Sequence, residues 1–294
     1  MELKLIVCPV DFSEFSVKAY RHALSVAEHY RAKLLALHVV ELYRHPSLGF
    51  AVSPSLYDQT CDALCENGRQ QLHDFVNKHT DKEIQLQMVV TTGMAADAIL
   101  SAAQAHDAGG IVMGTHGRRG FDRLMLGSVT DRVMRTAPCP VLVVGKSPHE
   151  SAATGEEQGR IHRLIHILVC ADFSRDSEQA LKYALSAREE YDAELTLLHV
   201  LEGPTSKIGK ETESAVTEKL NQLIPADARK SHKFKTAVRV GKPYQQIVEF
   251  AQQTQADMVA MGVRGRGALD VAVFGSTTYR VMQLGTCPVL VVHR

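Results

Sequence analysis

Two glycine-punctuated loops hold the residues of this chain best suited to chemistry. The first reads Gly114-Thr115-His116-Gly117, then nine residues, then Gly127-Ser128. The second reads Gly262-Val263-Arg264-Gly265, then nine residues, then Gly275-Ser276. Glycine permits close backbone approach and positive φ, so successive N–H groups can point inward as an anion nest. Each loop ends where an apolar helical period begins, and a helix N-terminus adds free N–H donors and about half a positive charge. Ser128 and Ser276 can cap that helix or donate to a phosphate oxygen. Arg118, Arg119, Arg264 and Arg266 add charge nearby, and His116 can meet a phosphate or face solvent. The chemistry this predicts is phosphate binding, once in each loop.

The pairing of the loops reflects a chain written twice. Ile6-Val7-Cys8-Pro9-Val10-Asp11-Phe12-Ser13 returns as Ile167-Leu168-Val169-Cys170-Ala171-Asp172-Phe173-Ser174, and Leu37-His38-Val39 returns as Leu198-His199-Val200. Both are offset by 161 (172 − 11 and 199 − 38). Gly93, Gly114 and Gly127 return as Gly241, Gly262 and Gly275 at an offset of 148 (262 − 114). The first copy therefore carries thirteen extra residues (161 − 148), for which residues 44–55, with Pro46, Gly49 and Pro54, are the expected place. The reading divides the chain into a domain over 1–146, a Gly-, Ser- and charge-rich linker over 147–161, and a second domain over 162–294.

Each copy alternates strand and helix. In the first, strands are expected at 3–8, 34–40, 84–90, 110–113 and 141–144. Helices follow Ser13, run through the Tyr57, Cys61, Leu64, Leu72, Phe75 stripe, and cover 95–105 and 129–136. The second copy repeats this and ends in a strand over 289–292. Near-continuous Val/Ile/Leu strands separated by helices predict an α/β fold: two tandem, doubly wound, five-stranded parallel-sheet domains of Rossmann-like type. Open parallel sheets bind ligands at the carboxyl ends of their strands. Asp11 and Asp172 lie there too, in the turn after strand one, where each can meet a ligand or cap the next helix.

Composition narrows the rest. The 294 residues carry 33 Lys+Arg and 33 Asp+Glu, so no net charge draws the chain to nucleic acid or anionic lipid. No apolar run approaches the ~18 residues of a membrane span. The N-terminal run is interrupted at Asp11, too early for a signal peptide, so a cytoplasmic location is expected. Six cysteines without zinc-ribbon spacing predict reduced thiols, with Cys8, Cys139, Cys170 and Cys287 as small buried hydrophobes. Cys61, Cys65 and His73 share a helix face and read as part of an apolar stripe rather than a metal site. His38 and His199 end buried strands and read as packed. There is no G-x-G-x-x-G after strand one, no G-x4-G-K-[S/T] and no nucleophile elbow.

The elements G-x2-G-x9-G-[S/T], V-D-F-S, L-H-V and C-P-V-L-V-V, in order and largely repeated, resemble the universal stress protein family over nearly the whole chain, in its tandem form. The resemblance implies residue roles for an adenine nucleotide. Asp11 and Asp172 match an Asp beside adenine and ribose. Val39 and Val200 match the residue whose backbone meets the adenine edge. Gly114 and Gly262 fall at the ribose. Gly117, Gly127, Ser128, Gly265, Gly275 and Ser276 match the phosphate cradle, with His116 and Arg264 inside the loops and Val129, Thr130, Thr277 and Thr278 on the following turn. Pro9 fits the family's P-x-D, whereas Cys170 replaces it in the second copy.

The expectation is a cytoplasmic stress-response module that binds ATP or a related adenine nucleotide, with Mg2+ on the phosphates and no residue assigned to catalysis. Its alternatives are a slow Mg-dependent ATPase or phosphoryl-transfer enzyme using Asp11 or Asp172, and a scaffold with vestigial pockets. Partners expected are the nucleotide and, through strands 141–144 and 289–292, the chain's own other half. A homodimer would require the further association of two such chains; nucleic acid and membrane are not expected.

Overall fold

The computed structural model describes residues 3–41, 54–81, 83–117, 126–145, 164–203, 210–226, 233–264 and 275–293. The first copy runs β1 (Leu5–Pro9), α1 (Glu14–Tyr30), β2 (Lys33–Val40), α2 (Pro54–His79), β3 (Leu86–Thr92), α3 (Ala95–Ala105), β4 (Gly110–Gly114), α4 (Ser128–Thr136) and β5 (Val141–Val144). The second runs β6 (His166–Cys170), α5 (Arg175–Tyr191), β7 (Glu194–Leu201), α6 (Lys210–Leu223), β8 (Phe234–Val240), α7 (Pro243–Gln253), β9 (Met258–Gly262), α8 (Ser276–Leu284) and β10 (Val289–Val292).

Packing divides the described chain into two compact units, one with residues 3–117 and 127–139, the other with Leu126 and residues 140–293. In the first, the strands run parallel in the order β3-β2-β1-β4. In the second, the order is β5-β10-β9-β6-β7-β8, parallel except that β5 runs antiparallel to β10, with Leu142 opposite Leu290. The expected pairing of 141–144 with 289–292 is therefore present. By packing, β5 groups with the second unit; residues 147–161 lie outside the described ones. A covered edge removes the unpaired backbone groups that an apolar Val-Leu-Val-Val strand would otherwise expose.

The central strands are dry. Val7, Cys8, Ile167, Leu168 and Val169 are all at 0% exposure, as a sheet covered on both faces requires. Helix α1 buries Ala19, Tyr20, Ala23, Leu24 and Ala27 at helical spacing, and Ser13 caps it by accepting from the Ser16 N–H. The equivalent cap on α5 is Ser174, which accepts from Ser177. Gly93 and Gly241, the paired glycines before α3 and α7, have φ of +132° and +140°, a conformation that costs any other residue strain.

Three expectations change. Helix α2 has 26 residues against 14 in α6, so much of the first copy's extra length is in the helix; residues 44–53 lie outside the described ones. Within α2, Leu64 is 41% exposed and does not belong to the inner stripe. That stripe runs through half-buried Cys61 and Cys65, then Gly68, Leu72 and Phe75. Gly68 marks the closest approach, where a β-carbon would stand 3.2 to 3.3 Å from His38, Val40 and Val90. Tyr57 lies outside the described side chains. Finally, Cys139 and Cys287 are only partly buried, because each stands in the turn before a strand rather than within it.

Candidate functional site

The turn after the first strand of each copy is built the same way. Asp11 Oδ1 accepts from the Ser13 backbone N–H at 3.0 Å and from the Ser13 hydroxyl at 2.6 Å. Asp172 Oδ1 accepts from the Ser174 N–H at 3.0 Å and its hydroxyl at 2.5 Å. The aspartates thus fix the turn, while the serines are the helix caps. Between them Phe12 and Phe173 are held at φ of +65° and +61°, left-handed values uncommon outside glycine. The strain is overdetermined by neighbours. His38 Nδ1 donates to the Val10 carbonyl at 2.7 Å and its ring centroid lies 4.5 Å from that of Phe12. His199 Nδ1 donates to the Ala171 carbonyl at 2.6 Å, with its ring centroid 4.9 Å from Phe173. Both histidines are structural, as expected.

The loop after the fourth strand faces this turn. In the first copy a β-carbon on Gly117 would stand 2.5 Å from Asp11 Oδ2, and one on Gly114 would stand 2.8 Å from the Phe15 β-carbon. At Gly114 the neighbours are the Phe15 β-carbon and backbone, which cannot yield, so glycine is required there; at Gly117 the neighbour is the end of a side chain that can move. In the second copy Gly262 closes in the same way on Asp176, at 2.6 Å. The loops return alike: the Gly127 N–H donates to the Thr115 carbonyl at 2.9 Å and the Gly275 N–H to the Val263 carbonyl at 3.0 Å.

Gly127 and Gly275 are themselves the N-caps of α4 and α8, and among the described residues no side chain caps either helix. Ser128 and Ser276 are the first helical residues and are exposed, so their capping role is withdrawn. A glycine cap leaves the first-turn N–H groups uncommitted to side chains, which is the physical requirement for an anion site. Thr130 and Thr278, each 3% exposed, turn inward instead. Their hydroxyls donate to the Gly114 and Gly262 carbonyls at 2.8 and 2.9 Å and lock helix to strand. Val129 and Thr277 are half-buried beside them, as are Val39 and Val200 near the ends of β2 and β7 and Pro9 at the end of β1.

His116 is distinctive. Its Nδ1 lies 3.1 Å from the Thr115 hydroxyl, its ring centroid 5.2 Å from that of Phe15, and its Nε2 is buried without a hydrogen-bond partner among the described residues. A buried polar nitrogen left unpaired costs about 1–3 kcal/mol, a cost a ligand oxygen would relieve. Arg264 takes the His116 position in the second copy. Gly265, Arg118, Arg119 and Arg266 lie outside the described residues.

The sequence places Ser13 as a helix cap and Ser174 as its repeat, and both cap as expected; the contributors it does not reveal are Phe15 and Asp176. The S-x-x-S spacing of Ser13 with Ser16 and Ser174 with Ser177 carries a signal for the caps. Nothing local marks residues 15 and 176 as facing a loop a hundred or so residues away in sequence. Among the described residues no group of three His, Cys, Asp or Glu side chains gathers to hold a metal ion. Burial pushes the Cys139 and Cys287 thiols up to about 12 and those of Cys8 and Cys170 further, which makes all four poor nucleophiles. Among the described residues no helix is long and apolar enough to cross a membrane.

The profile of the Universal stress protein family matches residues 2–145 and again 165–293. Universal stress protein MJ0531 of Methanocaldococcus jannaschii is 34% identical over 147 residues, covering 50% of this chain and 85% of that protein. Universal stress protein Slr1230 of Synechocystis is 23% identical over 306 residues, covering 98% of this chain and 99% of its own. A crystal structure of a universal stress protein from Archaeoglobus fulgidus superposes with a TM-score of 0.75 at 21% identity and covers 100% of both chains.

Proposed function

The chain belongs to the universal stress protein family, and on that premise we propose that it binds ATP or a related adenine nucleotide and acts as a nucleotide-dependent regulatory module in a stress response. The observation that carries this reading is the first-copy cradle. A glycine-capped helix start is hydrogen-bonded, through the Gly127 N–H, to the Thr115 carbonyl of a loop whose His116 Nε2 is buried and has no partner among the described residues. That combination of uncommitted N–H donors and one unsatisfied ring nitrogen suits a phosphate chain. Gly114, Gly117 and Gly127 would admit its backbone-close approach, with Ser128 at the exposed entrance; Gly262, Arg264, Gly265, Gly275 and Ser276 would do the same in the second copy. Asp11, Asp172, Val39 and Val200 would border the nucleoside, as the family resemblance implies.

Mg2+ would arrive on the phosphates, since it keeps several waters and needs few protein ligands. Each aspartate already commits Oδ1 to a serine, so a role as turn-former accounts for it without turnover. Protein purified without added nucleotide is denatured and the supernatant assayed for adenylates, and the same protein is titrated with ATP by calorimetry. Released nucleotide or measurable affinity is expected. No release and no heat would overturn the reading.

A further inference from the structure

The two cradles are built on the same frame but carry different residues where the fourth strand closes on the helix that follows the first strand. Phe15 and Asp176 are equivalent (176 − 15 = 161, the offset of the first half of the repeat). Each is the side chain on which the last glycine of the fourth strand closes: Gly114 on Phe15, Gly262 on Asp176. In the first copy this position is a neutral aromatic beside the His116 ring. In the second it is a carboxylate, 8% exposed, whose Oδ2 accepts the Arg264 N–H at 3.3 Å. The Ser174 hydroxyl also approaches the Arg264 carbonyl, at 3.3 Å. The loop residue is thus tied to the first turn of α5 at both its amide and its carbonyl. Phe15 has no acceptor to offer the His116 amide.

An acidic residue in a first helical turn favours the helix, which gives Asp176 a structural reason to be there. Its consequence for a ligand is separate. It takes up one loop amide and places a buried negative charge against the cradle, while the Arg264 side chain is partly exposed and screened by water. Like charges brought together out of water repel strongly.

Resting on the nucleotide-binding reading, we propose that Asp176 is a specificity-determining residue. It makes the second cradle select against long phosphate chains, so that a nucleoside triphosphate occupies the first copy, and the second copy takes a nucleoside or its monophosphate. The test is calorimetry with ATP and with AMP on the full chain and on Asp176→Asn. Asparagine keeps an acceptor for the Arg264 N–H, so the loop tie survives. Photolabelling with an azido-adenine triphosphate, followed by peptide mapping, assigns each site to residues before 145 or after 164.

Wild-type protein is expected to label in the first copy and to bind a second ATP about tenfold more weakly or worse. Asp176→Asn should raise the weaker ATP affinity about tenfold and leave AMP affinity within about threefold. A second variant, Phe15→Asp, moves the charge to the first copy and should lower ATP affinity there while sparing AMP; it decides the matter if Asp176→Asn fails to fold. Two equal ATP sites in the wild type, or weak-site affinity unmoved by Asp176→Asn, overturns this inference and leaves the nucleotide reading standing. No heat or label with any adenylate in any of the three proteins overturns the reading, and the inference with it.

Discussion

The Thr130 hydroxyl donates to the Gly114 carbonyl at 2.8 Å and so ties the first turn of α4 to the last residue of β4 across the loop between them. Thr278 and Gly262 repeat the bond at 2.9 Å. Thr130→Val keeps the shape of the side chain and removes its donor. We expect a loss of about 1 kcal/mol in urea unfolding, the usual net value of such a bond. Thr130→Ser should recover most of it. A valine variant as stable as the wild type would show that the bond does not hold the loop.

Gly117→Ala tests the contact between loop and turn. A β-carbon there would stand 2.5 Å from Asp11 Oδ2. The carboxylate is the far end of a side chain and can swing, so stability should change by less than about 1 kcal/mol. Swinging disturbs the bonds by which Asp11 holds Ser13. ATP affinity of the first copy, followed by calorimetry, should fall about tenfold, because misplacing a preorganised site is costly. An unchanged affinity would remove Asp11 and Gly117 from the site.

His116→Leu replaces the unpaired ring nitrogen with an apolar group of similar bulk. A hydrogen bond to a charged group contributes about 1.5–3 kcal/mol, so first-copy affinity should drop at least about tenfold. The free protein should be as stable as the wild type or slightly more so, since a buried unsatisfied Nε2 has been removed. Thermal unfolding with and without ATP separates the two effects. Lower stability in both conditions would mean that His116 serves packing alone.

Much of this was legible before the structure. The two offsets, 161 and 148, located Asp11 with Asp172 and Gly127 with Gly275, and the glycines fell where strands meet helices. Residues 95–105, 141–144 and 289–292 formed the expected elements, because helical and buried-strand periods are local properties of the chain. What stayed hidden is what depends on contacts distant in sequence. That Thr130 and Thr278 face inward, and that Gly114 and Gly262 close on residues 15 and 176, follows only once β1 and β4, or β6 and β9, are neighbours. The exposure of Leu64 belongs to the same class: spacing puts it near the apolar stripe, and only the line of approach through Gly68 decides which side chains are covered.

Alkaline pH should unfold this protein progressively, and the sign follows from its buried acids. Burial pushes the thiols of Cys8, Cys139, Cys170 and Cys287 up from 9.0, and the Tyr20 hydroxyl, at 0% exposure and bonded to Thr80, up from 10.0 to about 12. Between those values the unfolded chain has released protons that the folded chain still holds. Stability therefore falls as pH rises wherever the native state binds more protons. The contribution is complete below pH 9 and is lost as pH climbs toward 12 and above. Urea midpoints measured from pH 7 to 11 should stay level at first and then decline. Tyr20→Phe combined with Cys139→Ala should flatten the decline, at a fixed cost in stability at neutral pH. Midpoints that hold level through pH 11 in the wild type would show that these groups ionise in place without cost.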